Sequence, residues 1–425
     1  MAKRKRGRQK RPSQIPEPLD HQRAEPYCIH FEHCGGCTLQ HFTYDAQLEI
    51  KQELVDKAFA RESLSELMAE APPALAILPA ERQRGYRNKL EYTFSRRRWL
   101  TPQEIAQEQT FEFRDGAGFH VRGFFNRVLD LQECWHQPEP SNQMRLFLRD
   151  AARAAGISFY DIAENEGDLR TLMVRTSESG QTMAIVMFSG EFDQPKQQLM
   201  ADFAAAFPDT HSLYYIINNT KNSSPIGHQP VLFYGQECIN EQCGHLNLRI
   251  HPASFFQTNT SQATRLYRLV ASWAALDGTQ LVYDLYSGIG SIGLFLADKA
   301  KKVIGIEVIA DAVDGAKENA ELNGLHNAQF FCGEAEKLCD QSFFAEHGTP
   351  DLIIVDPPRP GLHKNLIAGL LQIQSPRILY ISCNPGTQAD DLEQLGQKYR
   401  IVRHQAVDMF PQTMHVENVV ELALR

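Results

Sequence analysis

The chain has 425 residues, of which 43% are hydrophobic and 9% aromatic, so it can bury more than one core and is not a disordered chain. No apolar run reaches the roughly 18 to 20 residues that a membrane helix needs, and the first residues are basic and polar, unlike a secretory signal. These features exclude membrane and exported proteins and predict a cytoplasmic one. Nine cysteines in such a chain favour metal binding or catalysis over a disulfide framework.

The formal net charge of -9 conceals an uneven charge distribution. The first eleven residues hold no acid and seven basic residues, which are Lys3, Arg4, Lys5, Arg6, Arg8, Lys10 and Arg11. A basic tail on an acidic body favours contact with polyanions, although a solubilising end is the alternative. A second basic stretch, residues 81–99, interleaves arginines with aromatic residues, which suits phosphate contact and base stacking. An ordinary amphipathic strand with a solvated face is the alternative there.

Three segments are predicted along the chain. Residues 1–24 are rich in charge and proline and predict a basic, disordered tail. Residues 25–250 mix helical and alternating segments and predict a central α+β domain. In residues 251–425 short apolar runs alternate with helical segments, which predicts an α/β domain with a doubly wound, mostly parallel sheet. The ligands of such a sheet bind at the carboxyl ends of its strands.

The first of these strands runs into a glycine-rich turn that contains Gly288, Gly290 and Gly293, and the next strand ends at Glu307. Glycines let the backbone approach a ligand, and an acid at the second strand end accepts hydrogen bonds from ribose hydroxyls. The spacing alone fits NAD equally well.

Two later strands end in residues with distinctive chemistry. One ends in Asp356-Pro-Pro-Arg359, where the acid is placed to hydrogen-bond a nucleobase, and the next ends at Cys383. A lone cysteine there is usually a small core residue. Methyl transfer to carbon 5 of uracil, however, needs a thiolate that adds to carbon 6 and a base that removes the carbon 5 proton. Glu417, an acid in an apolar stretch, is the candidate base, with His415 and Asn418 as possible orienting neighbours.

The segments DLYSGIG, IGIE, DPPR, SCNP and HVENVVEL occur in this order. Together they resemble the RNA uracil-5 methyltransferase family, which includes the bacterial rRNA and tRNA 5-methyluridine enzymes. The resemblance implies a class I methyltransferase fold that uses S-adenosylmethionine, with Cys383 as nucleophile, Glu417 as base and Asp356 in the site. It also implies a set of methyl-donor contacts, which are Gln257, Tyr286, Gly288, Ser291, Glu307, Glu334 and Asp356. Ser291 and Glu334 depart from the family pattern, in which Asn and Asp or Asn are usual.

Cys28, Cys34 and Cys37 supply three thiols within ten residues, and Cys134 is the best fourth candidate. Four thiolates hold either zinc or an iron-sulfur cluster, and the spacing leaves both open. The segment CGGCTLQH with a distant cysteine resembles the 4Fe-4S site of the family, so the resemblance implies that the central domain carries this cluster and binds RNA. Cys238, Cys243, Cys332 and Cys339 are interpreted as structural thiols.

Within the family the chain resembles the 23S rRNA type most, through RNKLEYTFS, GFHVRGFF and the cysteine motif. Many such relatives begin with a small β-barrel RNA-binding domain, where this chain has only the basic tail. A monomer is expected. The alternatives are a tRNA uracil-5 methyltransferase, an exocyclic-amine methyltransferase and a non-catalytic RNA-binding protein. A NAD-dependent oxidoreductase would leave Cys383, Glu417 and the clustered cysteines unexplained.

Overall fold

The computed structural model describes residues 17–107, 110–111, 114–222, 224, 227–339 and 341–425. The basic residues of the predicted tail, 3–11, lie outside these ranges. The strands are β1 (Leu75–Leu78), β2 (Lys89–Ser95), β3 (Gly116–His120), β4 (Val128–Asp130), β5 (Leu169–Thr176), β6 (Thr182–Phe188), β7 (Ser212–Ile217), β8 (Val231–Gly235), β9 (Ile239–Cys243), β10 (Leu246–Ile250), β11 (Leu281–Leu285), β12 (Lys302–Glu307), β13 (Ala328–Cys332), β14 (Leu352–Val355), β15 (Arg377–Ser382), β16 (Tyr399–Val407) and β17 (Glu417–Leu424).

The α-helices are α1 (Tyr44–Phe59), α2 (Ser65–Ala69), α3 (Pro102–Ala106), α4 (Ser141–Ala154), α5 (Gln194–Ala206), α6 (Thr260–Ala274), α7 (Ser291–Ala297), α8 (Ala310–Leu322), α9 (Ala335–Leu338), α10 (Gln341–His347), α11 (Lys364–Ile373) and α12 (Pro385–Leu395). None of the helices in the described ranges combines the length and the apolar character needed to cross a membrane.

The C-terminal half forms an eight-stranded sheet in the order β1-β16-β17-β15-β14-β11-β12-β13. Strands β11 to β15 run parallel, and the apolar side chains of β11, β12, β14 and β15 are buried on both faces, as parallel strands between helices require. Strand β13 lies at the edge of the sheet and is partly exposed. The predicted doubly wound sheet is confirmed. The last strand, β17, is inserted antiparallel between β15 and β16, so its first residue lies at the edge where the parallel strands end.

The central region forms a seven-stranded mixed sheet in the order β4-β3-β2-β5-β6-β7-β8. Leu90, Tyr92 and Phe94 alternate along β2 and pack into a core that also includes residues of α4 and α5. The intervening residues of β2 are half-buried on the opposite face. This alternation follows from the two-residue repeat of a strand and agrees with the predicted α+β character.

The eight-stranded sheet also contains a strand from the first hundred residues, whereas the predicted α/β domain began at residue 251. Strand β1 pairs in parallel with β16. Val55 and Phe59 of α1 pack in one core with Tyr380 and Leu392. The apolar face of α1 therefore covers the C-terminal sheet, although the sequence prediction assigned this helix to the central domain.

The described part of the predicted tail is ordered against the chain, which corrects the expectation for residues 17–24. A 3-10 turn spans Asp20–Gln22. The carbonyl of Gln22 accepts a hydrogen bond from Thr43 N at 2.7 Å, and Ala24 N donates to His41 O at 2.9 Å. These bonds replace the water contacts that a disordered tail would keep.

Candidate active site

Four of the predicted site residues lie together where the parallel strands end. Tyr286 follows β11, Glu307 ends β12, Asp356 follows β14 and Cys383 follows β15. Leu285 is level with Ile306 on one side and with Val355 on the other, so the residues that follow them also lie side by side. The carboxyl edge of the sheet thus gathers acids, an aromatic ring and a thiol, as the strand pattern predicted.

Glu417 reaches the same edge from the opposite direction. Ser382 and Asn418 are Cα partners in the antiparallel pair β15 and β17. Cys383 follows Ser382 and Glu417 precedes Asn418, so these two residues form the next opposed positions. Glu417 is only 3% exposed, whereas Cys383 is partly exposed. A reachable thiol therefore lies opposite a buried carboxyl group.

The electrostatics of this edge follow from burial and from crowding of acids. Burial, reinforced by the charge of Asp356, raises the pKa of Glu417 to about 8. Burial also raises the pKa of Asp356 to about 7. The pKa of the Cys383 thiol is raised to about 11 by burial and then by the charges of Glu417 and Asp356, while Arg359 acts in the opposite direction. Arg359 is thus the cation that offsets the acidic groups.

Arg359 was quoted in the DPPR motif but was not predicted as a site residue. Its guanidinium lies 3.0 Å from Nδ1 of His415 and donates to that ring. Burial, followed by the charge of Arg359, lowers the pKa of His415 to about 4, so this imidazole is neutral and accepts the hydrogen bond. His415 therefore orients Arg359, and the structure gives it no contact with Glu417.

Asn418 does not orient Glu417, and the prediction that it does was wrong. Successive side chains of a strand point to opposite faces, so Asn418 points away from Glu417. Its amide donates to Oε1 of Gln388 on α12 at 2.8 Å.

The glycine-rich turn is shaped by two acids. Glu307 accepts hydrogen bonds from Gly288 N and Ile309 N, both at 3.0 Å. Asp284, which was not predicted, accepts from Gly293 N at 2.8 Å and is buried, which raises its pKa to about 7. Gly290 has φ +80, a conformation that favours glycine, and it begins α7. The turn thus presents a helix N-terminus next to Glu307.

Gln257 is tied into the same edge. Its Nε2 donates to Oδ2 of Asp356 at 3.5 Å, and its backbone carbonyl accepts from Nδ2 of Asn88 at 2.8 Å. The same amide of Asn88 donates to Thr260 Oγ1 at 2.8 Å. Asn88, at the start of the central sheet, therefore helps to hold Gln257 and was missed because its sequence context carries no motif.

The two departures from the family pattern lie in different surroundings. The hydroxyl of Ser291 is 3.1 Å from that of Tyr267, at the start of α7. Glu334 is exposed, and its carboxylate pairs with Lys337 at 2.7 Å. The structure thus places Ser291 at the glycine-rich turn, whereas the carboxylate of Glu334 lies at the surface and is paired with Lys337.

The four predicted metal-ligand cysteines come together. Cys28, Cys34, Cys37 and Cys134 line one small, partly open cavity. Two N–H groups point at sulfur: Gly36 N lies 3.4 Å from Cys34 Sγ, and Gln40 Nε2 lies 3.2 Å from Cys37 Sγ. Among the described residues, no group of three or more Cys, His, Asp or Glu is arranged to hold a single metal ion. The structure thus brings the four predicted thiols to one cavity, where burial raises the pKa of Cys34 and Cys37 and their mutual electrostatic influence raises it further.

The basic stretch of residues 81–99 divides into two kinds of arginine. Arg82, Arg97 and Arg98 form ion pairs with Glu178, Asp161 and Glu104. Within the described ranges, Arg84 and Arg87 form no ion pair with a carboxylate. Arg84 lies 3.6 Å from the ring centre of Tyr27, and Arg87 lies 5.1 Å from that of Phe410. The positive charge that no described carboxylate neutralises, and that is therefore available to a polyanion, lies at Arg84 and Arg87 in the middle of the stretch.

Comparison with known proteins identifies the family and the fold of this chain. The family model described as tRNA (Uracil-5-)-methyltransferase matches residues 234–425. A Porphyromonas gingivalis relative named "Uncharacterized RNA methyltransferase" is 43% identical over 96% of this chain and 88% of its own length. A relative of the same name from Bacteroides thetaiotaomicron is 42% identical over 95% of this chain and 88% of its own length.

Among solved structures, the Pyrococcus abyssi tRNA (uracil-54, C5)-methyltransferase in complex with S-adenosyl-L-homocysteine is similar, with a TM-score of 0.71 and 29% identity. The match covers 92% of this chain and 86% of that one. Sequence and fold therefore agree over nearly the whole chain: it belongs to the RNA uracil-5 methyltransferase family and has the class I fold that uses S-adenosylmethionine.

Proposed function

We propose that this enzyme methylates carbon 5 of a specific uridine in 23S rRNA, with Cys383 as the nucleophile and Glu417 as the base. The observation that supports these roles is the opposition of Cys383 and Glu417 at the ends of β15 and β17, with Asp356 on the neighbouring strand. Both functions are needed at one pyrimidine ring, because carbon 5 of uracil is a poor nucleophile until carbon 6 carries a thiolate.

The proposed steps use the chain's own groups as follows. The Cys383 thiolate adds to carbon 6, and the electron pair of the ring's 5,6 double bond becomes available at carbon 5. When bound, S-adenosylmethionine would supply an electrophilic methyl group to carbon 5 and would leave as S-adenosylhomocysteine. Glu417 then removes the proton from carbon 5, and the re-forming double bond expels the Cys383 thiolate. The raised pKa of Glu417 makes its carboxylate a stronger proton acceptor than an exposed glutamate.

Asp356 and Arg359 support these steps from the same strand end. Asp356 would hydrogen-bond the base edge, a role supported by its position after β14 beside Cys383. Arg359 lowers the pKa of both Cys383 and Glu417, so it favours the two ionised groups that the reaction needs.

The proposed methyl-donor site is the turn after β11 and its neighbours. Glu307, at the end of β12, suits the ribose hydroxyls of the donor. Tyr286 and Gly288 lie in this turn, and Gln257 closes it from the side of Asp356. Ser291 stands at the helix start, and Glu334 follows β13 at the same edge, where it would have to leave Lys337 to contact the donor.

We also propose that Cys28, Cys34, Cys37 and Cys134 hold a 4Fe-4S cluster. The chemistry of the donor set supports it: four thiols share one cavity, and N–H groups approach two of the sulfurs. Purification without oxygen should give iron and acid-labile sulfide that are lost in Cys37→Ala and kept in Cys332→Ala, an exposed thiol elsewhere. Stoichiometric zinc without sulfide would contradict the assignment.

The choice of RNA is tested by methylation with a labelled donor. Ribosomal RNA and tRNA from cells that lack this enzyme should be compared, and the methylated base mapped. We expect 5-methyluridine in 23S rRNA, with no product from Cys383→Ala. Labelling of tRNA alone would favour the second candidate, a tRNA uracil-5 methyltransferase, which the structural similarity to the Pyrococcus abyssi tRNA enzyme keeps in view.

A further inference from the structure

We propose that the loop between β3 and β4, residues 121–127, is a stacking surface for unpaired RNA bases beside the cysteine cavity. We call it the aromatic loop. This inference rests on RNA being the substrate, and it assigns a binding role to residues that the catalytic site does not use.

The aromatic loop exposes two large rings at its tip. Phe125 is 74% exposed and Phe124 is 47% exposed. The ring of Phe124 rests on Trp99, with 5.0 Å between ring centres, so the pair is supported from below. The two neighbouring rings form an exposed apolar patch, which is typical of an interaction site, and nucleobases stack on such rings without sequence preference.

The positive charges around these rings favour RNA as the binding partner. Arg122 and Arg127 flank the phenylalanines in the loop, and within the described part of the chain neither forms an ion pair with a carboxylate. Many other arginines in this region, such as Arg149 and Arg153, do pair with acids. Of the two loop arginines, Arg122 donates to a backbone carbonyl, so Arg127 supplies the charge for phosphate contact. Aromatic rings beside this charge combine base stacking with phosphate contact, which is the chemistry of single-stranded RNA binding.

The loop is held in a fixed shape. Val121 N donates to Arg127 O at 3.1 Å, and Phe124 N donates to Val121 O at 3.0 Å. Gly35 N donates to His120 O at 3.1 Å, which joins the base of the loop to the cysteine segment. A rigid platform loses little entropy on binding, so the stacking energy is not spent on ordering the loop.

Hydrogen bonds also connect the aromatic loop to the active site. The guanidinium of Arg122 donates to the carbonyl of Cys37 at 2.6 Å. The next residue, Thr38, donates its N–H to Gln412 O at 2.8 Å. Gln412 lies three residues before His415, which contacts Arg359. The aromatic loop is therefore joined by hydrogen bonds to the segment that carries His415 at the active site.

The test is equilibrium binding of the full chain carrying Cys383→Ala, so that no covalent adduct forms. The probes are a single-stranded oligouridylate with one 2-aminopurine and an RNA duplex of matched length. Phe125→Ala should weaken single-strand binding about 5- to 100-fold and abolish quenching of the 2-aminopurine, with an unchanged salt dependence. Phe125→Trp should restore both, and Arg127→Gln should instead reduce the salt slope by about 0.7.

Tyr234→Ala is the matched control, because Tyr234 is an exposed aromatic, at 45%, on the opposite edge strand of the same sheet. Equal oligouridylate affinity of Phe125→Ala and Tyr234→Ala would overturn the proposal. Equal weakening of single-strand and duplex binding by Phe125→Ala would also overturn it. So would a variant that lost binding only to anionic vesicles or to a protein partner and kept its binding to RNA. If the parent chain bound no RNA at all, both the proposed function and the proposed role of the aromatic loop would be contradicted. If the parent bound RNA and Phe125→Ala bound it equally well, only the role of the loop would be contradicted.

Discussion

Cys383 lies opposite Glu417 because β15 and β17 are antiparallel and end their ladder at the pair Ser382 and Asn418. Cys383 directly follows the last residue of β15 and Glu417 is the first residue of β17, yet both lie at the same edge of the sheet. The carboxyl group is buried and the thiol is reachable, and the pKa of the thiol is raised by burial and, when Glu417 is ionised, by its charge.

Removal of the Glu417 charge should make Cys383 more reactive. Because the ionised carboxylate raises the pKa of the thiol, Glu417→Gln increases the thiolate fraction at pH values above about 8, where Glu417 is ionised in the parent enzyme. A change on the order of one pKa unit would speed alkylation by iodoacetamide about tenfold at those pH values and leave it nearly unchanged at neutral pH. The rate is measured on the Cys383 peptide by mass spectrometry across a pH series.

Arg359→Met provides the opposite control for that experiment. Arg359 lowers the pKa of Cys383, so its loss should slow alkylation. Shifts in the same direction for both variants would contradict the electrostatic description of the site.

The stability of the unliganded enzyme should fall as the pH rises. Burial raises the pKa of Glu417 from 4.5 to about 8 and that of Asp356 from 3.8 to about 7, so the folded state binds more protons than the unfolded state. This stabilisation is complete below the unfolded pKa values and is lost as pH rises through the folded ones. Each shift corresponds to a few kcal/mol, at about 1.4 kcal/mol per unit.

Urea denaturation at pH values between about 5 and 9 measures this slope. Glu417→Gln should flatten it, whereas Glu393→Gln, at an exposed position of α12, should leave it unchanged. A free energy of unfolding that rises with pH over this range would show that the sign is wrong.

A buried ion pair holds the segment that leads to Glu417. Lys51 of α1 pairs with Asp408, both side chains are fully buried, and Lys51 also donates to Phe410 O at 2.9 Å. Lys51→Met leaves Asp408 charged and unpaired, which should cost about 3–5 kcal/mol of unfolding free energy. The free energy is measured by urea denaturation.

Two control variants test whether the loss of stability comes from the unpaired buried charge. The double change Lys51→Met with Asp408→Leu should recover most of the loss, because neither charge is then buried alone. Lys57→Met removes an exposed pair with Glu53 on the same helix and should have little effect. A loss in the double variant as large as in the single one would mean that packing, not charge, dominates.

The sequence predicted the edge of the site because strand ends can be located from apolar runs. Asp356 and Cys383 each follow such a run, and parallel strands end at one edge. The meeting of Cys383 with Glu417 depends on the antiparallel insertion of β17, which no local pattern reveals. The family resemblance supplied that pairing before the topology was known.

Other features depended on long-range packing. The apolar face of α1 fits either sheet, so only the tertiary structure shows that it covers β15 and its neighbours. Asn88 carries no motif, and its contact with Gln257 joins residues far apart in the chain. Asn418, in contrast, was misassigned although the alternation of side chains along a strand predicts that it points away from Glu417.

The most direct test uses Glu417→Gln with S-adenosylmethionine and a 23S rRNA transcript. Without the base, the methylated ring cannot lose its carbon 5 proton, so turnover should fall about 10²- to 10⁴-fold. RNA should then remain covalently bound through Cys383, and mass spectrometry of the digested complex should find the Cys383 peptide carrying a methylated uridine. Full methylation of a base by Cys383→Ala, with no adduct in Glu417→Gln, would contradict the account.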